Sequence, residues 1–202
     1  MPSSFLTRRT FLTTGLALSA MAALPRQLWA LTETGARSLV GSVVGDINKV
    51  IASGKSESAM IRDFEKIFVR YADVNIMARY ALGVDGRRAS PGQLRAFTGA
   101  FQGYIANKYG RRFREFIGGT VEVQSARKIK AGYEIKSIAK LQGQAPFEVT
   151  FLVSDKSGKE KFFNMFIEGV NLLLTERTEI GAILDRNKGD IDKLIAELKR
   201  IS

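Results

Sequence analysis

The hydrophobic period changes once along this chain, and that change limits what it can fold into. From residue 39 to residue 116 apolar side chains recur every three or four positions; from residue 121 they alternate. The first spacing lines one face of a helix and the second lines one face of a strand, because side chains repeat about every 3.6 residues in a helix and every two in a strand. Gly118-Gly119 stands at the junction. The first half therefore supplies helices and the second an antiparallel sheet.

In the first half, Leu39, Val40, Val43, Val44, Ile47, Val50 and Ile51 share one helical face, which ends at Gly54. Ile61, Phe64, Ile67, Phe68 and Tyr71 form a second such face. Asp73 is placed to cap a short third helix carrying Val74, Ile76, Met77 and Tyr80, with Gly83 as its stop. Ser90-Pro91-Gly92-Gln93 has the form of a capping box with Pro at the first helical position. Leu94, Phe97, Phe101, Tyr104, Ile105, Lys108, Phe113 and Phe116 follow it, so the spacing predicts a fourth helix that runs to Gly118-Gly119. Gly99, Gly103 and Gly110 lie inside that helix; each costs about 1 kcal/mol relative to Ala and marks a place where another group can approach closely.

In the second half, Val121, Val123 and Ser125 begin the alternation. It continues through Tyr133, Ile135, Ser137, Ala139 and Leu141, and then through Phe147, Val149, Phe151 and Val153. Gly132, residues 143–146 and residues 155–158 mark turns. A fourth strand is expected from about residue 162 to 168, with a continuation past a bulge or bend at Gly169 as far as Leu174. Helical spacing returns at residues 178–186 and 190–200. The expected fold class is α+β: N-terminal helices packed on a curved antiparallel sheet of about four strands, with C-terminal helices, in one domain spanning residues 31–202.

Residues 1–30 differ from the rest. Arg8 and Arg9 precede a short apolar run from Phe11 to Ala23, Pro25 breaks it, and no acidic residue occurs in the segment. Spanning a bilayer takes about 20 apolar residues, so this run reads as a cleaved signal rather than an anchor. Thr7-Arg8-Arg9-Thr10-Phe11-Leu12 fits the twin-arginine pattern, and Arg26 beyond the apolar run fits that route too. Leu28-Trp29-Ala30 and Ala20-Met21-Ala22 are the alternative cleavage segments. The expected location is the periplasm.

Location changes the meaning of the charge. The chain carries +11, and +8 once the three arginines of residues 1–30 are removed. Inside a cell such a balance would suggest nucleic acid; in the envelope the anionic partners are lipid head groups and acidic protein surfaces, so no nucleic-acid partner is expected. A solvated basic surface is the simpler reading of much of it. The chain has no His and no Cys. That removes the usual base near neutral pH, the commonest metal ligand and the thiol nucleophile. Gly54-Lys55-Ser56 resembles the end of a phosphate-binding loop, but Lys49 stands where that motif needs its first Gly. No nucleophile elbow and no calcium-loop spacing is found. Neither a metal, a cofactor nor an enzymatic activity is expected.

Met77-Ala78-Arg79-Tyr80-Ala81-Leu82-Gly83, followed by Ala89-Ser90-Pro91 with Gln93, Phe97 and Phe101, resembles the helical half of the MlaC family, also called the toluene-tolerance family of auxiliary transport proteins. Phe163-Asn164 with Ile167-Glu168-Gly169-Val170-Asn171-Leu172 resembles the family's sheet segment, and the run from Ile191 to Lys199 resembles its helical tail. Where the family pattern has Trp, this chain has Asp85-Gly86-Arg87 and Glu160; where it has Asp and Ser, this chain has Asn164 and Asn171. The resemblance implies a nuclear-transport-factor-like fold with a deep apolar pocket between sheet and helices. It implies a carrier with phospholipid as cargo, moving lipid between an outer-membrane lipoprotein–porin complex and an inner-membrane ABC transporter, and so maintaining outer-membrane asymmetry; a monomer is expected. Some relatives are associated with hopanoid lipids, which leaves a hopanoid-related cargo as the alternative.

On that reading the expected pocket wall is Tyr80, Phe97, Phe101, Tyr104 and Ile105 from the helices, with Val149, Phe151, Phe163, Met165, Ile167 and Leu172 from the sheet. Arg111 and Arg112 are the expected head-group or membrane contacts. For any single residue, core packing or a solvated helix end is the competing reading. Two other functions compete: a small-molecule enzyme on a similar cone-shaped fold, which needs a titratable group of shifted pKa in its pocket, and an adaptor that binds envelope proteins through its basic face.

Overall fold

A computed structural model describes residues 31–112 and 119–202. The expected signal of residues 1–30, and Phe113 and Phe116 of the expected fourth helix, lie outside the described residues. Four helices come first: α1 Glu33–Ile51, α2 Glu57–Tyr71, α3 Val74–Leu82 and α4 Pro91–Gly110, with a 3-10 turn at Gly83–Arg87 before α4. Strands β1 Thr120–Ile129, β2 Gly132–Lys140, β3 Phe147–Ser154, β4 Lys161–Ile167 and β5 Val170–Asn171 follow, then helices α5 Leu172–Arg186 and α6 Ile191–Arg200. Among the described residues no helix is long and apolar enough to cross a membrane.

Local chemistry sets the helix starts. Asp73 Oδ1 accepts the Ile76 N–H at 3.2 Å. At α4 both halves of the capping box form: Ser90 Oγ accepts from Gln93 N at 3.1 Å, and Gln93 Oε1 accepts from Ser90 N at 3.0 Å. The α4 glycines serve as close approaches at two positions. A Cβ on Gly110 would sit 3.1 Å from the Ile61 side chain of α2, and one on Gly103 would sit 3.5 Å from Ser202; Gly99 faces open space.

The five strands form one antiparallel meander in the order β1-β2-β3-β4-β5. Register shifts at Gln124, between Val123 and Ser125, and between β3 and β4 at Leu152/Val153 bend the sheet, as bulges do. Phe147, Val149, Phe151 and Val153 point to one face, opposite Ala139, Ser137, Ile135 and Tyr133 of β2. Helix α1 packs over β1, β2 and β3, while α3 and α5 pack against β4; α4 lies against α2, α3 and α6. Gly132 is required where β2 begins: its φ is +146°, and a Cβ there would lie 2.0 Å from the Val153 carbonyl oxygen.

Two expectations are corrected. The fourth strand does not continue to Leu174. Glu168 and Gly169 both take positive φ, at 49° and 78°, and reverse the chain in a two-residue hairpin that pairs Ile167 with Val170. Helix α5 then starts at Leu172 rather than near residue 178, because the Asn171 side chain accepts the Leu174 N–H at 3.0 Å and caps it. Leu172 therefore belongs to a helix, not to the sheet.

Candidate functional site

Helix α1 presents Val43, Val44, Ile47 and Ile51 at helical spacing towards the inner sheet face, where Val121, Phe147, Val149, Phe151, Met165 and Ile167 meet them. These surfaces do not close on each other. Between them lies a cavity of about 430 Å³, completed by Asn48, Phe64, Tyr109, Arg112, Gly119, Leu141, Gln144, Ala145 and Glu168. Apart from Asn48 and the Tyr109 hydroxyl, its interior is aliphatic and aromatic among the described residues. Arg112, Gln144, Ala145 and Glu168 are exposed, so they mark the mouth, where the β2–β3 loop, the β4–β5 turn and the end of α4 converge.

A second, smaller cavity of about 60 Å³ adjoins it; Phe64, Tyr109 and Met165 line both. Ile105, Leu172, Leu173, Asn164 and Glu176 are among its other walls. Among the described residues, the buried charge of the site lies here. The Glu176 side chain is 3% exposed, and its Oε1 accepts from Lys108 Nζ at 2.8 Å and from the Tyr109 hydroxyl at 2.5 Å. Lys108 also pairs with Glu179 and donates to the Tyr104 hydroxyl at 3.1 Å. Burial pushes the Tyr109 hydroxyl up, and the bond it donates to Glu176 pushes it further. Burial also raises Tyr104, with Glu179 adding to it. Burial pulls Lys108 down, but Glu176 and Glu179 outweigh it and hold the ammonium above its ordinary range.

The residues expected at the pocket wall divide into groups. Val149, Phe151, Met165 and Ile167 line the large cavity, with Arg112 at its mouth. Ile105 and Leu172 line the small one, which Met165 shares. Phe97, Phe101 and Tyr104 line neither cavity; they are buried in the core, the first two stacked at 5.9 Å between ring centroids. All three lie on α4, which packs against α2, α3 and α6, whereas the large cavity is lined by Tyr109 and Arg112 at that helix's C-terminal end. Tyr80 is 39% exposed beneath the Arg177 guanidinium. Phe163 is the extra residue of the β4 bulge, so Phe162 pairs with Val153 instead. Arg111 is the exposed C-cap of α4 and lines neither cavity.

The α1 wall is not part of the expected pocket, although its apolar stripe is plain in the sequence; the aromatics of α4 are denser but go to the core. Asn164 and Asn171 pair with each other: Asn164 Nδ2 donates to Asn171 Oδ1 at 3.0 Å, and Asn164 Oδ1 accepts from Leu173 N at 3.3 Å. Among the described residues no group of His, Cys, Asp and Glu is arranged to hold a metal ion.

The solved structure of a phospholipid-binding protein from Ralstonia solanacearum, in complex with a phospholipid, matches this fold with a TM-score of 0.71 at 18% identity, over 82% of this chain and 96% of that one. At that identity the likeness is one of fold. The family model described as MlaC protein matches residues 41–200. That span takes in α2 to α6, the whole sheet and all but the first turns of α1, and on it the chain belongs to the MlaC family.

Proposed function

We propose that this protein is a periplasmic phospholipid carrier, exported on the twin-arginine signal of residues 1–30 and folded as a single lipid-binding domain over residues 31–202. It takes lipid between an outer-membrane lipoprotein–porin complex and an inner-membrane ABC transporter. The observation that carries this reading is the largely apolar cavity of about 430 Å³ with polar residues at its mouth. Hiding an acyl chain of about 16 carbons from water is worth on the order of 12 kcal/mol, at ~0.8 kcal/mol per CH₂. An apolar space supplies that without any catalytic group. The head group stays at the mouth near Arg112, and the acyl chain lies against Val149, Phe151, Met165 and Ile167.

An enzyme in the same space would need a group able to exchange a proton near neutral pH. Tyr109, on the wall of both cavities, is pushed the other way and stays protonated on Glu176. That favours a carrier. A transfer assay tests the reading: purified protein should accelerate movement of labelled phospholipid from donor to acceptor vesicles in proportion to its concentration. No acceleration at any concentration would contradict it.

A further inference from the structure

Apart from the Tyr109 hydroxyl, which donates to Glu176, the described lining of the small cavity is apolar except for Asn164 and Glu176. Asn164 is engaged within the fold: its amide donates to Asn171, and its carbonyl oxygen accepts from Met165 N and Leu173 N. Glu176 is only half engaged. Its Oε1 holds Lys108 and Tyr109, while its Oε2 is buried and accepts no hydrogen bond. An acceptor left unmet in a buried site is costly, the more so for a charged one. This carboxylate lines a space of about 60 Å³ that is too small for a ligand of its own but abuts the large cavity across Met165, an unbranched and adaptable side chain.

We propose that the two cavities are one elongated binding site, and that Glu176 Oε2 receives a hydroxyl carried at the buried end of an otherwise apolar cargo. This rests on the carrier reading above and adds a chemical preference to it. A methyl-ended chain leaves Oε2 unmet. An ammonium would lose its hydration in an apolar space, beside a carboxylate that Lys108 already serves. A hydroxyl is neutral, brings one donor and needs little room. Glu176 is thus a specificity residue of the small cavity.

The test compares two phosphatidylglycerols on the purified, delipidated protein: one with palmitoyl chains and one with ω-hydroxypalmitoyl chains. Competition against a fluorescent lipid gives the ratio of affinities. The wild type should favour the hydroxylated lipid by about tenfold or more, the worth of one hydrogen bond to a charged group. The double variant Glu176→Leu with Lys108→Met, which strands no buried charge, should bring the ratio to one or below. If that variant does not fold, the wild-type ratio alone decides. A wild-type ratio of one or less, as when water alone meets Oε2, overturns the inference and leaves the carrier reading standing. So does a ratio that the variant leaves unchanged. Binding of neither lipid overturns both.

Discussion

Ile167 and Phe101 are both large apolar side chains that the sequence offers for a pocket wall, and the fold uses them differently. Ile167 is half-buried at the cavity, while Phe101 is fully enclosed in the core beside Phe97. Ile167→Glu should therefore abolish lipid uptake with little loss of stability. Phe101→Ala should cost about 3–5 kcal/mol in chemical denaturation. Equal stability losses in the two variants would refute this division. Lys108 is a different case, because it ties α4 to α5 through Glu176 and Glu179. Lys108→Met leaves a buried carboxylate with Tyr109 as its remaining partner, so a loss of about 2–3 kcal/mol is expected. The pH dependence follows from the directions of the shifts. The folded pKa of Lys108 is raised, so its contribution is complete below the ordinary 10.5 and is lost as pH rises through the folded value. Glu179 is also partly buried, which raises it, but the bond from Lys108 lowers it overall. Its contribution is complete above the ordinary 4.5 and is lost as pH falls through the folded value. Urea midpoints of wild type and Lys108→Met should therefore converge at both extremes of pH; a constant gap would contradict the assignment.

At the scale of elements, starts were more legible than ends. Ser90-Pro91-Gly92-Gln93 states its capping box in the sequence, and Ser90→Ala should cost about 1 kcal/mol in thermal or urea unfolding; no measurable loss would contradict the cap's role. The turn at Glu168-Gly169 was less legible. A Gly inside an apolar run signals a bulge or a reversal equally, and only the positive φ at both residues separates them. The cap at Asn171 was hidden for a related reason: Asn counts as a cap only once the preceding strand is known to stop. The β4 bulge had the largest effect on the site. Strict alternation puts Phe163 with Met165 and Ile167, but one inserted residue moves Phe162 into register with Val153. Alternation finds a strand's faces only as far as the first bulge. Asn171→Ala should remove the α5 cap at a cost of about 1 kcal/mol.

For the whole molecule, the order of helices, meander and helices could be read from periodicity, whereas the position of the cavity could not. A cavity is the place where two layers fail to meet, and that depends on sheet curvature and on the angle of α1, neither of which leaves a local signature. The proposed work, burial of an acyl chain, needs neither Cys nor His, and the chain has neither. The proposed export route is testable as well. Arg8→Lys combined with Arg9→Lys should leave the protein in the cytoplasm by fractionation, and unchanged export would refute the twin-arginine route.

The central claim, that the cavity holds a lipid, is tested most directly by native mass spectrometry of the protein purified from cells, followed by organic extraction. The account predicts an adduct of phospholipid mass at close to one per protein, absent from the Ile167→Glu variant. Wild-type protein that is uniformly free of lipid and takes up none from vesicles would contradict it.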